Sequence, residues 1–147
     1  MLLATGFGLG RLPRAPGTWG TLAAFPIHYA LSALPPREYA LGLVVIIILA
    51  ILIAGSAEKI VDRPDPGLVV IDEVAGMLLA LIAVPTTPAA WLLAFLLFRL
   101  FDITKPFPIR LIDQRCHGGL GIVLDDLLAG LYALGSFHLL WWCATFN

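Results

Sequence analysis

The sequence predicts an all-α fold: a polytopic membrane helix bundle of about five apolar helices, with its polar site at the cytoplasmic face. Three observations carry this. The 147 residues are 60% hydrophobic and 13% charged, with a mean hydropathy of +0.94. Soluble domains carry about 25% charged residues, and a soluble protein of this size must cover a large surface with polar groups. Several apolar runs reach or approach the roughly 20 residues a bilayer requires. The charged residues gather in a few short segments, above all Phe98–Asp126, "FRLFDITKPFPIRLIDQRCHGGLGIVLDD". Residues 1–147 read as a single domain.

Composition also excludes several classes. The net charge is −1 and the basic residues stand among acids, which argues against a phosphate-tracking nucleic-acid groove. Cys116 and Cys143 form no CxxC and no ligand spacing, so neither a zinc site nor a disulfide framework is expected. The opening "MLLATGFGLGRLPRAPG" lacks the basic-then-apolar order of a signal peptide and reads as a glycine-rich segment kept in the mature protein. There is no internal repeat, which removes support for an inverted-repeat transporter.

Pro, Gly and charged residues mark off five apolar segments: Thr18–Leu34, Tyr39–Ala57, Leu68–Val84, Pro88–Asp102 and Asp126–Phe146. The second carries no charge and is the clearest span. The last is also long enough, with Trp141 and Trp142 placed like an interfacial belt. The other three are short or carry charge, and are expected to tilt or to span in part. Pro26, Pro85 and Pro88 signal helix ends or kinks. Threading five spans with the N-terminus inside puts Arg11, Arg14, Lys59, Arg63, Lys105, Arg110 and Arg115 on the cytoplasmic side, with only Arg37 outside. Nearly all the acids fall on the same side, Glu38 excepted. The outer loops are minimal, and the outer surfaces permit either a monomer or a helix-packed homodimer.

The charges at the inner face lack a purely structural role. Asp72 and Glu73 interrupt an apolar helix, and a carboxylate facing lipid costs several kcal/mol, on the order of 2.5–3.5 on insertion scales. Helix N-terminal placement accounts for one of them. Successive residues stand about 100° apart, so only one is expected to point straight at a common centre. Arg99 and Asp102 can pair on one helical face. Lys105 follows on that side, and Pro106 ends the helix, leaving its ammonium to reach a phosphate. Asp125 and Asp126 precede the last apolar run. One suffices as an N-cap, and the second suggests a cation ligand. The "HGGLG" of His117–Gly121 reads as a glycine turn that can approach an anion. "GFGLGRLPRAPGTWG" fails the nucleotide-loop patterns, although Thr18, Arg11 and Arg14 can still help bind an anion. His28 and His138 stand among apolar residues, where hydrogen-bonded packing is the default.

Carboxylates without Cys or His favour a hard divalent ion, Mg²⁺ first. Basic residues beside it favour a phosphorylated substrate. A site at membrane level favours a lipid whose phosphate head stays at the surface. The residues therefore reach a Mg²⁺-dependent enzyme acting on a phospholipid phosphate, without fixing the reaction. No Cys-x5-Arg loop is present, since Ile122 stands six positions after Cys116, and there is no Asp-x-Asp-x-Thr/Val or histidine lipid-phosphatase pattern.

The reaction comes from a resemblance. "APGTWGTLAAFP", "IDEVAGM", "FRLFDITKPFPIRLID" and "HGGLGIVLDDLLAG" resemble, in order and rough spacing, the motif series of the bacterial phosphatidylglycerophosphatase A family, over Gly6 to about Tyr132. The resemblance implies an all-helical, Mg²⁺-dependent, multi-pass enzyme of the bacterial inner membrane. It implies removal of the terminal phosphate of phosphatidylglycerol phosphate to give phosphatidylglycerol and inorganic phosphate. The mechanism built on these parts has Asp72, Glu73, Asp125 and Asp126 holding Mg²⁺, which lowers the pKa of a bound water. Lys105 and Arg110, with Arg99 or Arg115 and Thr18, hold the phosphate. Asp102 orients Lys105 or acts as base, and His117 protonates the leaving glycerol oxygen. An aspartyl-phosphate intermediate stays open. The alternatives are a phosphatase of another lipid phosphate such as phosphatidate, and a small ion or proton transporter. The partner expected is the phospholipid substrate, with no nucleic acid.

Overall fold

The computed structural model describes residues 1–146. Among them are six α-helices, one short 3-10 turn at Leu9–Arg11 and no strand. The helices are α1 Pro16–Ser32, α2 Pro36–Val61, α3 Ile71–Ala80, α4 Pro88–Thr104, α5 Ile109–Arg115 and α6 Gly118–Phe146. The all-α expectation holds, with differences in where several helices begin and end.

Two helices are long and apolar enough to cross a membrane: α2 over Pro36–Val61 and α6 over Gly118–Ala144. At 1.5 Å per residue each is about 40 Å long. α1 and α4 have 17 residues each, about 26 Å, which falls short of a ~30 Å hydrocarbon core. α1 runs through Pro26 instead of ending there. α4 starts at Pro88, with the Thr87 hydroxyl accepting from the Ala90 N–H at 3.3 Å. This is the N-terminal proline and cap arrangement that orphan N–H groups favour.

α3 is shorter than the apolar run Leu68–Val84 suggested. At its start the Val70 N–H donates to the Ala4 carbonyl at 2.8 Å, a tertiary bond in place of a helical one. At its end the chain turns, and Ala83 has φ of +56°. α3 nevertheless forms the centre of the protein. Val74, Ala75, Met77, Leu78 and Ala80 are buried, and α3 packs against α6, α1, α2 and α4. Phe98 of α4 and Phe137 of α6 complete this core, both fully buried.

α6 begins eight residues before the expected Asp126 and absorbs the glycine segment. Those glycines serve packing: a methyl on Gly119 would fall 2.0 Å from the Ile51 carbonyl oxygen of α2. A second close approach joins α3 and α6, where a methyl on Gly130 would fall 2.3 Å from the Gly76 carbonyl oxygen. Small residues let helix backbones meet in this way. α5, not expected from the sequence, is seven residues long and follows a turn through Pro106–Pro108. Cys116 and Cys143 lie at opposite ends of α6.

Candidate functional site

The glycine contact between α3 and α6 sets the level of the site. Gly76 stands four residues after Asp72, and Gly130 four residues after Asp126, one helical turn in each case. Bringing the two glycines together therefore brings the two carboxylates together one turn away. One oxygen each of Asp72, Glu73 and Asp126 lies within 4.8 Å of the others, a set that could hold a metal ion. Asp72 is 6% and Asp126 4% exposed. Both acids of α3 reach the common centre, contrary to the expectation of one. The extra methylene of Glu73 lets its carboxylate swing back across the 100° that separates the two backbone positions.

Glu73 reaches this position past a glycine. A methyl on Gly17, in the first turn of α1, would fall 2.3 Å from Glu73 Oε1 and 3.2 Å from Arg99 Nη1. Arg99 is held in turn by an ion pair with Asp102, one turn along α4. Four helices thus contribute to one constellation: α1 through Gly17, α3 through Asp72 and Glu73, α4 through Arg99 and Asp102, and α6 through Asp126.

Asp125 faces a different way. Its Oδ2 accepts from Lys105 Nζ at 2.6 Å, and Asp113 Oδ1 accepts from the same ammonium at 2.6 Å. Partial burial works against the charge of Lys105, but its two carboxylate partners outweigh this and hold its pKa above the ordinary lysine value. Beside this pair is a cleft of about 160 Å³ lined by Glu58, Asp65, Asp113, His117 and Asp125, among others.

Buried carboxylates need partners, and those of the cluster are incomplete. Asp72 Oδ1 and Glu73 Oε2 are buried without a hydrogen-bond partner. The nearby Arg99 guanidinium is already paired with Asp102. Three clustered carboxylates with two unused oxygens suit a hard divalent cation.

The comparisons with known proteins agree with the quoted motifs. The family model for phosphatidylglycerophosphatase A matches residues 2–141. The chain belongs to the phosphatidylglycerophosphatase A family. It is 41% identical over 138 residues to phosphatidylglycerophosphatase A of Escherichia coli (strain K12), covering 93% of this chain and 80% of that protein. It is 40% identical over 135 residues to phosphatidylglycerophosphatase A of Haemophilus influenzae, covering 90% and 83%. A Bacteroides thetaiotaomicron protein provisionally named a phosphatidylinositol-3-phosphatase is 39% identical over 140 residues, covering 90% and 87%. No solved structure matches the chain.

In this chain the residues singled out from sequence fall into three groups. Asp72, Glu73 and Asp126 meet in the cluster, and Arg99 and Asp102 stand at its edge. Lys105 pairs with both Asp125 and Asp113, so two of its ammonium donors are engaged, and Asp102 pairs with Arg99 instead of orienting Lys105. Arg110 and Arg115 lie exposed on α5, His117 is exposed on the cleft rim, and Thr18 is half-buried in the first turn of α1. Asp125 and Asp126 lie inside α6, which removes the N-capping reading of that pair. His28 Nδ1 donates to Tyr39 Oη at 3.1 Å, while Tyr39 donates to the Leu78 carbonyl. His138 Nε2 donates to the Ile82 carbonyl at 3.0 Å. Sequence reasoning missed Gly17 and Asp113. The glycine in "APGTWG" and the Pro-x-Pro that folds Asp113 back onto Lys105 were the available signals.

Proposed function

We propose that this enzyme, a phosphatase by its family, hydrolyses the terminal phosphate of phosphatidylglycerol phosphate at the cytoplasmic face of a bacterial inner membrane. Asp72, Glu73 and Asp126 would hold Mg²⁺. The observation that carries the reading is the buried three-carboxylate cluster with two unpartnered oxygens, beside an arginine, in a chain of this family. α2 and α6 would anchor the bundle in the bilayer, with the shorter helices packed against them.

A bound divalent cation would supply charge to the phosphoryl oxygens as electron density shifts onto them. Arg99 keeps N–H donors beyond the one engaged by Asp102, and these can donate to phosphoryl oxygens. Asp102 holds the guanidinium in place for that contact. Hydrolysis forms a P–O bond from water and breaks the one to the glycerol oxygen, so one proton must leave the water and one must reach the leaving oxygen. Asp125, which accepts from Lys105, and His117 line one cleft; in this reading a carboxylate there would take the first and His117 would return the second. Lys105 binds Asp113 and Asp125 with two of its three donors and keeps the third for a phosphate oxygen.

The test is phosphate release from phosphatidylglycerol phosphate by detergent-purified protein, with Mg²⁺ and with EDTA. Mg²⁺-dependent release is expected, and folded protein inert in both conditions would overturn the reading. A second lipid phosphate stays in view because of the Bacteroides relative. Phosphatidylinositol 3-phosphate and phosphatidate belong in the same assay.

A further inference from the structure

The turn after α4 carries Lys105, and it has an anchor that the proposed chemistry leaves unused. Tyr132 of α6 donates from its hydroxyl to the Phe107 carbonyl at 3.1 Å. Its ring stands edge-on to Phe101, with centroids 5.5 Å apart. The Phe101 carbonyl in turn accepts the Lys105 N–H at 2.9 Å, the bond that caps α4. Tyr132 therefore touches the residue one helical turn before Lys105 and the residue two positions after it. Tyr132 also stands seven residues after Asp125, close to two full turns, so the two share a face of α6 about 10 Å apart along its axis. Asp125 holds the Lys105 ammonium, and Tyr132 holds the backbone beyond it.

That grip matters because the backbone at Lys105 is left-handed, with φ of +41°. A lysine keeps such a conformation only where its surroundings enforce it. The turn also decides where α5 lies. Ile109, fully buried, fixes the first residue of α5 in the core, and Asp113 stands about one turn further along the same helical face. From there Asp113 Oδ1 accepts from Lys105 Nζ at 2.6 Å. We propose that Tyr132 is a positioning residue: by holding the Phe107 carbonyl it fixes the turn from which Lys105 presents its third donor to the phosphoryl group and Asp113 reaches the same ammonium. The assignment rests on the proposed function, in which Lys105 meets a phosphate oxygen. Tyr132 acts through Lys105 and not on the reacting atoms.

The test compares wild type, Tyr132→Phe and Tyr39→Phe as detergent-purified full chains. Each variant keeps its ring and loses one hydroxyl that donates to a backbone carbonyl at 3.1 Å, but only Tyr132 is tied to the Lys105 turn. Lys59 and Lys105 are the only lysines of the sequence. Trace acetylation read by mass spectrometry therefore reports Lys105 against the exposed Lys59 as internal reference. Tyr132→Phe should raise that labelling ratio several-fold, and Tyr39→Phe should leave it unchanged. On phosphatidylglycerol phosphate, Tyr132→Phe should lower kcat by about tenfold with KM within about twofold, less than the roughly 100-fold cost of a full 1 Å misplacement. In a Lys105→Met background the same substitution should change kcat by less than about twofold. An equal loss in both backgrounds would make Tyr132 a packing residue only and overturn the assignment, as would a wild-type kcat or an unchanged labelling ratio. No phosphate release by wild type, together with a raised labelling ratio in Tyr132→Phe, would sink the functional reading and leave the hold on Lys105 standing.

Discussion

Asp125 and Asp126 are neighbours in α6 yet belong to different networks: Asp126 joins Asp72 and Glu73, while Asp125 accepts from Lys105 at 2.6 Å. The 100° step between them along the helix produces the division. Their replacement should therefore have separable effects. Asp126→Asn should lower activity by about 100-fold or more, the scale for removing one preorganised electrostatic group, and weaken Mg²⁺ dependence. Asp125→Asn should couple to Lys105. In a double-mutant cycle with Lys105→Met, Asp125→Asn should be non-additive and Asp126→Asn nearly additive. The reverse pattern would put Asp125, not Asp126, in the acid cluster.

Gly17→Ala tests whether Glu73 is positioned by contact with α1. The added methyl would sit 2.3 Å from Glu73 Oε1, so either the carboxylate or the helix must move. A displacement near 1 Å costs on the order of 100-fold in rate at a reacting site. Alanine is a better helix residue than glycine by roughly 0.5–1 kcal/mol, so the helix itself should not be lost. We expect a large fall in kcat, a higher Mg²⁺ requirement and an unchanged far-ultraviolet spectrum. Wild-type kinetics would mean that Glu73 is not held by this contact.

Lys105 gives a pH signature. Burial alone would lower its folded pKa, but Asp113 and Asp125 outweigh burial and raise it above the ordinary value of 10.5. A raised folded pKa means that the ion pairs contribute fully below the unfolded value and are lost only as pH rises through the folded one. The melting-temperature difference between wild type and Lys105→Met should therefore be constant from about pH 7 to about pH 10 and shrink above that. A difference that fades below about pH 9 would indicate that the ammonium is not clamped by both acids.

The helical class and the acids of the cluster were legible in the sequence. Long uncharged runs in a bilayer must satisfy their backbone groups internally, and intramembrane carboxylates are too costly to stand idle. Helix limits were less readable where tertiary contacts set them. The run Leu68–Val70 is as apolar as α3, but it lies in a turn after Pro66 and Gly67, where the Val69 N–H donates to the Pro66 carbonyl and the Val70 N–H to Ala4. The Gly-Gly-x-Gly after His117 looks like a turn, but Gly119 is small because Ile51 lies against it. Starting α6 at Gly118 instead of Asp126 is what moves the aspartate pair from a cap into the helix body. The Lys105–Asp113 pair depends on a chain reversal through Pro106–Pro108 that no helical periodicity encodes. The two-site division of Asp125 and Asp126 needed the actual rotation of α6 against α3, which adjacent identical residues do not reveal.

The glycine pair one turn from the acids should control the site as well as the fold. Gly76 and Gly130 meet so closely that a methyl on Gly130 would fall 2.3 Å from the Gly76 carbonyl oxygen. Gly135, further along the same helix, has open space around it. Gly130→Ala should then destabilise the protein by about 1–3 kcal/mol, the usual cost of overpacking, whereas Gly135→Ala should be neutral or stabilising by up to roughly 1 kcal/mol. The backbone shift that relieves the first clash must push α3 from α6, which draws Asp72 and Glu73 away from Asp126. Gly130→Ala should accordingly need several-fold more Mg²⁺ for half-maximal activity even where it is folded, and Gly135→Ala should not. Thermal melts and Mg²⁺ titrations of the two variants side by side make the comparison. If Gly130→Ala lost stability yet kept the wild-type Mg²⁺ requirement, the glycine contact would be a packing feature only, and the spacing of the acids would be set elsewhere.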